Sequence, residues 1–136
     1  MTEFDRLIEF LDSLPAISRF EHPVPPNYGM GRFEDGNWWI KFQIDIEDEL
    51  AWDIVQLLAF VANGAALNDP FPTQFFPSAP PPENGGGPKE LLAWVVESTD
   101  PKFTPDEFRD ALSFYIPTER EDIIELRKES VVDFNS

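Results

Sequence analysis

From Trp38 to Ile46, bulky apolar residues occupy every second position: Trp38, Ile40, Phe42, Ile44 and Ile46. Trp39, Lys41, Gln43 and Asp45 fill the positions between them. Successive side chains of an extended chain point to opposite faces, so this run is a strand with one core face and one face at least partly wet. A half-buried strand of this kind belongs to an antiparallel sheet covered on one side. Just upstream, Gly31-Arg32-Phe33-Glu34 leads into Asp35-Gly36. That reads as the other arm of a β-hairpin, and Asp-Gly suits a type I′ turn, in which both central residues take positive φ.

Helical periodicity frames this hairpin. Phe4, Leu7, Ile8, Leu11 and Leu14 make an apolar stripe over about residues 3–14, with Thr2 as a cap and Pro15 as the stop. A second helix is predicted over 48–63, with a core stripe of Leu50, Ile54, Leu57, Leu58 and Val61 and Gly64 at its end. Its other side carries Trp52, Gln56, Ala59 and Asn63, flanked by Phe60. That face is too apolar for plain solvent, which implies a covering segment or a partner. Thr104-Pro105-Asp106-Glu107 is a capping-box start for a third helix carrying Phe108, Ala111, Leu112 and Tyr115. Thr118 with Glu121 opens a last short helix, and residues 131–136 read as a frayed tail.

Prolines punctuate the remainder. Residues 21–28 hold three and form an extended loop, since proline removes a donor and fixes φ. Phe71 to Phe76 reads as an edge strand, because flanking prolines fit sheet edges. Pro80-Pro81-Pro82 and Gly85-Gly86-Gly87 form a stiff and then flexible connection into Leu91-Leu92-Ala93-Trp94-Val95-Val96, a run that fits a central strand. The element order is α-β-β-α-β-β-α. It predicts a single α+β domain over 1–130, an antiparallel sheet of about four strands with helices packed on it.

Composition then removes several kinds of chemistry. The chain has no cysteine, so disulfides, thiolate nucleophiles and cysteine-ligated metals are excluded. Twenty-six acidic residues face ten basic ones, for a net charge of −16. Phosphate binding needs Lys and Arg, so nucleic acid and anionic membrane are disfavoured as partners. Basic proteins are favoured. The first residues form no signal peptide, and the most apolar run, 54–62, is too short to span a bilayer, which fits a cytoplasmic protein.

Candidate sites are few. His22, the one histidine, sits in the Pro-rich loop without a nucleophile beside it, and a loop histidine is the simplest account. Asn84-Gly85-Gly86-Gly87-Pro88-Lys89 lacks P-loop spacing and reads as a flexible connection. The densest acidic group is Asp45, Glu47, Asp48, Glu49 and Asp53. Its spacing is wrong for an EF-hand loop, which leaves three uses: an ordinary solvated helix start, a docking site for a basic partner, or, last in order, a metal site of another kind. Trp39, on the polar side of its strand, is either covered by packing or an interface anchor. No catalytic residue, metal or cofactor is assigned.

Trp38-Trp39-Ile40-Lys41-Phe42, Leu50-Ala51-Trp52, Pro72-Thr73 with Pro77, Pro81-Pro82 with Gly86-Gly87-Pro88, Trp94 with Glu97, and Pro105-Asp106 together carry a family likeness. The stretch from 37 to 112 resembles a group of small, uncharacterised bacterial proteins associated with the immunity proteins of secreted toxins. The likeness implies an interaction role and names no catalytic residue. The sequence therefore points to an acidic interaction module that neutralises a basic, nuclease-type toxin. An acidic accessory or scaffold domain is the alternative, and a carboxylate-based or metal-dependent hydrolase is a third.

Overall fold

A computed structural model describes residues 2–17, 29–45, 47–64, 71–78 and 91–135. Eight elements follow in the order α-β-β-α-β-β-α-α: α1 (Asp5–Ser13), β1 (Gly29–Arg32), β2 (Trp38–Asp45), α2 (Ala51–Gly64), β3 (Thr73–Ser78), β4 (Leu91–Ser98), α3 (Pro105–Tyr115) and α4 (Arg120–Asn135). The four strands form one antiparallel sheet in the order β1-β2-β4-β3. The predicted α+β class stands, and the apolar run 91–96 is a central strand, as expected. The expectations placed on His22, the proline run 80–82 and the glycine connection 84–89 lie outside the described residues.

The alternation in β2 fixes which face the helices cover. Trp38, Ile40, Phe42 and Ile44 are all buried. Trp38 meets Phe4 at the start of α1 with ring centroids 6.2 Å apart, and Phe108 of α3 at 5.7 Å. Its indole N–H donates to the Phe103 carbonyl at 2.6 Å, which satisfies the polar atom of a fully buried ring. Across the sheet, Phe75 stacks on Trp94 with centroids 5.0 Å apart and runs near-parallel to Phe42 at 6.3 Å. Leu50, Ile54, Leu58 and Val61 of the α2 segment are buried in the same core, as the 3.6-residue stripe requires.

β3 is an edge strand whose outer side is closed by side-chain chemistry. The Phe75 amide donates to Asn63 Oδ1 at 2.7 Å, and Asn63 Nδ2 donates back to the Phe75 carbonyl at 3.1 Å. The backbone groups that Phe75 turns outward are thus taken by the end of α2. Two residues on, Pro77 faces the same way and has no N–H to offer. This edge is protected against pairing with another chain.

Three local expectations change. The hairpin does not use a two-residue type I′ turn. Only Gly36 has positive φ (92°), the Gly36 amide donates to the Phe33 carbonyl, and the Phe33 amide donates to Asn37. The result is a three-residue loop, a turn followed by a residue in the left-handed region. Asp35 stabilises it by accepting from the Asn37 amide at 2.9 Å. Helix α1 starts two residues later than expected: Thr2 bonds Phe4 and Asp5, but Phe4 itself is the N-cap. The last helix is long, with helical backbone from Arg120 to Asn135, across residues expected as a tail. The α3 capping box is present in both directions, with Thr104 bonding the Glu107 amide and Glu107 bonding the Thr104 amide.

Candidate functional site

The acidic group at the start of α2 is largely engaged within the fold. Asp45 accepts from the Glu47 amide and Asp48 from the Leu50 amide, each closing a turn that leads into the helix. Asp48 is also forked by Arg120 of α4, at 2.9 and 3.3 Å. Asp53 is forked by Arg127, one helical stretch further along α4, at 2.6 and 3.1 Å. Arg127 additionally donates to the Glu49 carbonyl at 3.2 Å. The guanidinium hydrogen-bonded to Asp48 holds that carboxyl below its ordinary range against the opposing effect of burial. Glu47 and Glu49 are exposed, and Arg120 approaches Glu49 at 3.9 Å. Two of the five predicted carboxylates are therefore clamps that fasten α4 to α2.

Trp39 does not join them. It lies near the opposite end of β2 from Asp45, six residues or about 20 Å away along an extended strand. Its ring is laid over β1: a Cβ at Gly29 would sit 3.0 Å from the indole, and one at Gly31 3.4 Å from Nε1. Phe33 flanks the same ring at 6.4 Å. The glycines at 29 and 31 make room for it, and the side chain is half-buried against its own sheet. The predicted anchor and the predicted acidic cluster are not one site.

Aromatic side chains gather elsewhere, where the C-terminal parts of α2 and α3 meet the approach to β3. Tyr115 is the hub. It meets Phe60, Phe71 and Phe114 with centroids 5.8, 6.5 and 4.9 Å away, all near-perpendicular. Phe71 in turn meets Phe103 at 6.0 Å. Four of these rings, Phe71, Phe103, Phe114 and Tyr115, enclose an open cleft of about 400 Å³ with Ala111. Glu107 and Asp110 also line it, and both are exposed. The aromatic surface is not sealed: Phe114 is 80% exposed and Phe60 50%. Two turns back along α2, about 12 Å from Phe60 and beyond the exposed Gln56, stands Trp52, which is 54% exposed. Sequence reasoning marked Trp52 and Phe60 as a face needing cover but did not find the cleft.

Each carboxylate at the cleft has one oxygen in structural use. Glu107 Oε1 accepts from the Thr104 amide at 3.0 Å in the capping box. Asp110 Oδ1 is shared by Arg109 at 3.1 Å and Arg6 at 3.4 Å. Among the described residues, nothing donates to Glu107 Oε2 or Asp110 Oδ2. The cleft is thus a set of π faces and edges beside two acceptors, suited to a cation with an apolar stem. Elsewhere, Glu3 is held low by its hydrogen-bonded pairing with Arg32, and Asp48 by Arg120. A carboxylic general acid needs the opposite shift. Among the described residues no group of three or more His, Asp or Glu could hold a metal ion, and no helix is long and apolar enough to cross a membrane.

No known protein family, curated protein or solved structure matches this chain.

Proposed function

We propose that this protein is an acidic interaction module that captures a basic protein, and that its biological role is that of an immunity protein neutralising a nuclease-type toxin in the cytoplasm. The observation that carries the reading is an exposed aromatic cleft lined also by Glu107 and Asp110, in a chain of net charge −16. Exposed aromatic clusters are unusual on soluble monomers and mark contact surfaces. Surplus negative charge accelerates encounter with a cationic partner, while aromatic burial governs how long the complex lives. A nuclease must hold phosphates and so carries the cationic surface this chemistry fits. The role is binding without turnover.

One observation favours the runner-up, an acidic accessory or scaffold domain. Asp48 and Asp53, at the heart of the densest acidic run, serve the fold through Arg120 and Arg127. On that reading the remaining charge acts only on solubility.

The two separate in a capture experiment. The tagged protein is incubated with host lysate and with the products of neighbouring genes, at about 50 mM and about 500 mM salt. The interaction reading expects a lysine- and arginine-rich protein, retained at least about tenfold better at low salt. Empty captures, or retention indifferent to salt, would favour the accessory domain.

A further inference from the structure

We infer that the cleft between Phe71 and α3 receives the side chain of a single arginine from the partner. The inference rests on the interaction reading above and specifies what that surface recognises.

Size limits the occupant first. About 400 Å³ lies at the small end of ligand pockets. It has room for one long side chain. Charge limits it next. Glu107 and Asp110 stand three residues apart on α3, which places them on one side of the helix. Each has an oxygen to which no described residue donates. An apolar plug would strip water from these two carboxylates and give them no donor, a net loss. An anion would be repelled by the same pair and by the charge of the whole molecule. A cation is stabilised on both counts.

The choice between the two basic side chains follows from shape. The lining rings meet near-perpendicularly at Tyr115, with interplanar angles of 73° to Phe71 and 85° to Phe114. A planar group can lie against one ring face while another ring presents its edge. Guanidinium is planar, weakly hydrated and carries five donors in a fork, so it can stack on a ring and reach two carboxylates together. Ammonium is compact and strongly hydrated, and it loses more on entering an aromatic cleft. The same molecule twice satisfies carboxylates of the α2 segment with arginine forks, at Asp48 and Asp53. The cleft offers one further acceptor oxygen on each of two carboxylates, with an aromatic lining added. The aliphatic stem of the arginine covers Phe114, the most exposed large apolar side chain described, at 80%.

The test uses the full chain, with its two tyrosines ring-labelled for NMR. Three probes are titrated separately: the N-acetyl methylamides of arginine, lysine and norleucine. The arginine probe is expected to move the Tyr115 signals with a binding constant at least about threefold tighter than lysine's, and norleucine is expected to leave them in place. Phe114→Ala removes an exposed ring and Glu107→Gln keeps the capping box while removing the charge. Each should weaken the arginine response about threefold or more, with the folded spectrum otherwise unchanged. An equal or stronger response to lysine or norleucine, or an arginine response that both variants leave intact, overturns the inference. If the probes show no arginine preference while salt-sensitive capture of a basic partner persists, arginine recognition is wrong and the interaction reading stands. If the probes behave as expected but no basic partner is captured, the cleft binds arginine and the interaction reading falls.

Discussion

Two acidic regions of this molecule sit on neighbouring helices and do different work. At the start of α2 the carboxylates are crowded in sequence, yet Asp48 and Asp53 are forked by arginines from α4. On α3 the acids are ordinary in number, yet Glu107 and Asp110 stand at an aromatic cleft with one oxygen each free of described donors. The density of a charge run measures how much repulsion the fold must manage. What a surface can offer a partner depends on which charges remain unanswered and what lies beside them. Here the sparse pair has the aromatic company, with Asp110 sharing one oxygen with Arg6 and Arg109, whereas Asp48 and Asp53 of the dense run are each forked on both oxygens.

Substitutions separate the two regions. The largest expected effect is on stability. Asp48→Ala combined with Asp53→Ala removes a turn cap and both α4 forks, and should cost about 2 kcal/mol after discounting for partial exposure. Urea denaturation reads the loss, and amide exchange should quicken through α4 while partner capture is retained. A variant as stable as the parent would show that the forks are incidental. Phe114→Ala should do the reverse. With the ring 80% exposed, stability should change by less than about 0.5 kcal/mol, while affinity for a captured basic partner should fall about fivefold or more. Unchanged affinity would remove Phe114 from the interface.

Acid should act on the first region through a defined sign. Asp48 is held below its ordinary value of 3.8 in the folded state by Arg120. The folded chain therefore binds fewer protons there than the unfolded one. The pair's contribution is full above that ordinary value and disappears as pH falls through the lowered one. In Arg120→Ala the acid limb of a stability–pH curve should be shallower than in the parent. Coincident curves would contradict the clamp. The smallest effect is expected at the α3 cap: Glu107→Gln should leave stability within about 0.5 kcal/mol, whereas Glu107→Ala should lose up to about 1 kcal/mol with the box, both read by thermal unfolding.

The parts of the fold that local rules dictate were legible in the sequence. Trp38, Ile40, Phe42 and Ile44 announced their buried face by alternation, and Thr104 with Glu107 announced the α3 start. Pro77 marked an edge strand. Asp35-Gly36 marked a turn but not its type, because that depends on whether Phe33 pairs with Asn37. The candidate site was much less legible. Arg120 and Arg127 reach carboxylates 72 and 74 residues away, and no spacing rule links them. Trp39 looked like an anchor because nothing in its own strand shows that Gly29 and Gly31 make a bed for it. The cleft draws Phe71, Phe103, Phe114 and Tyr115 from separate segments. Its one local signal was Phe114, an aromatic residue standing off the apolar stripe of α3, where a polar side chain would be ordinary.

Paired neutralisations put the two acidic regions on one scale. Affinity for the captured basic partner is measured for Asp48→Asn/Asp53→Asn and for Glu107→Gln/Asp110→Asn, two pairs that remove the same formal charge. The first pair is expected to bind within about twofold of the parent and the second at least about tenfold more weakly. Equal losses would mean that only total charge matters. A loss confined to the first pair would return the site to the start of α2.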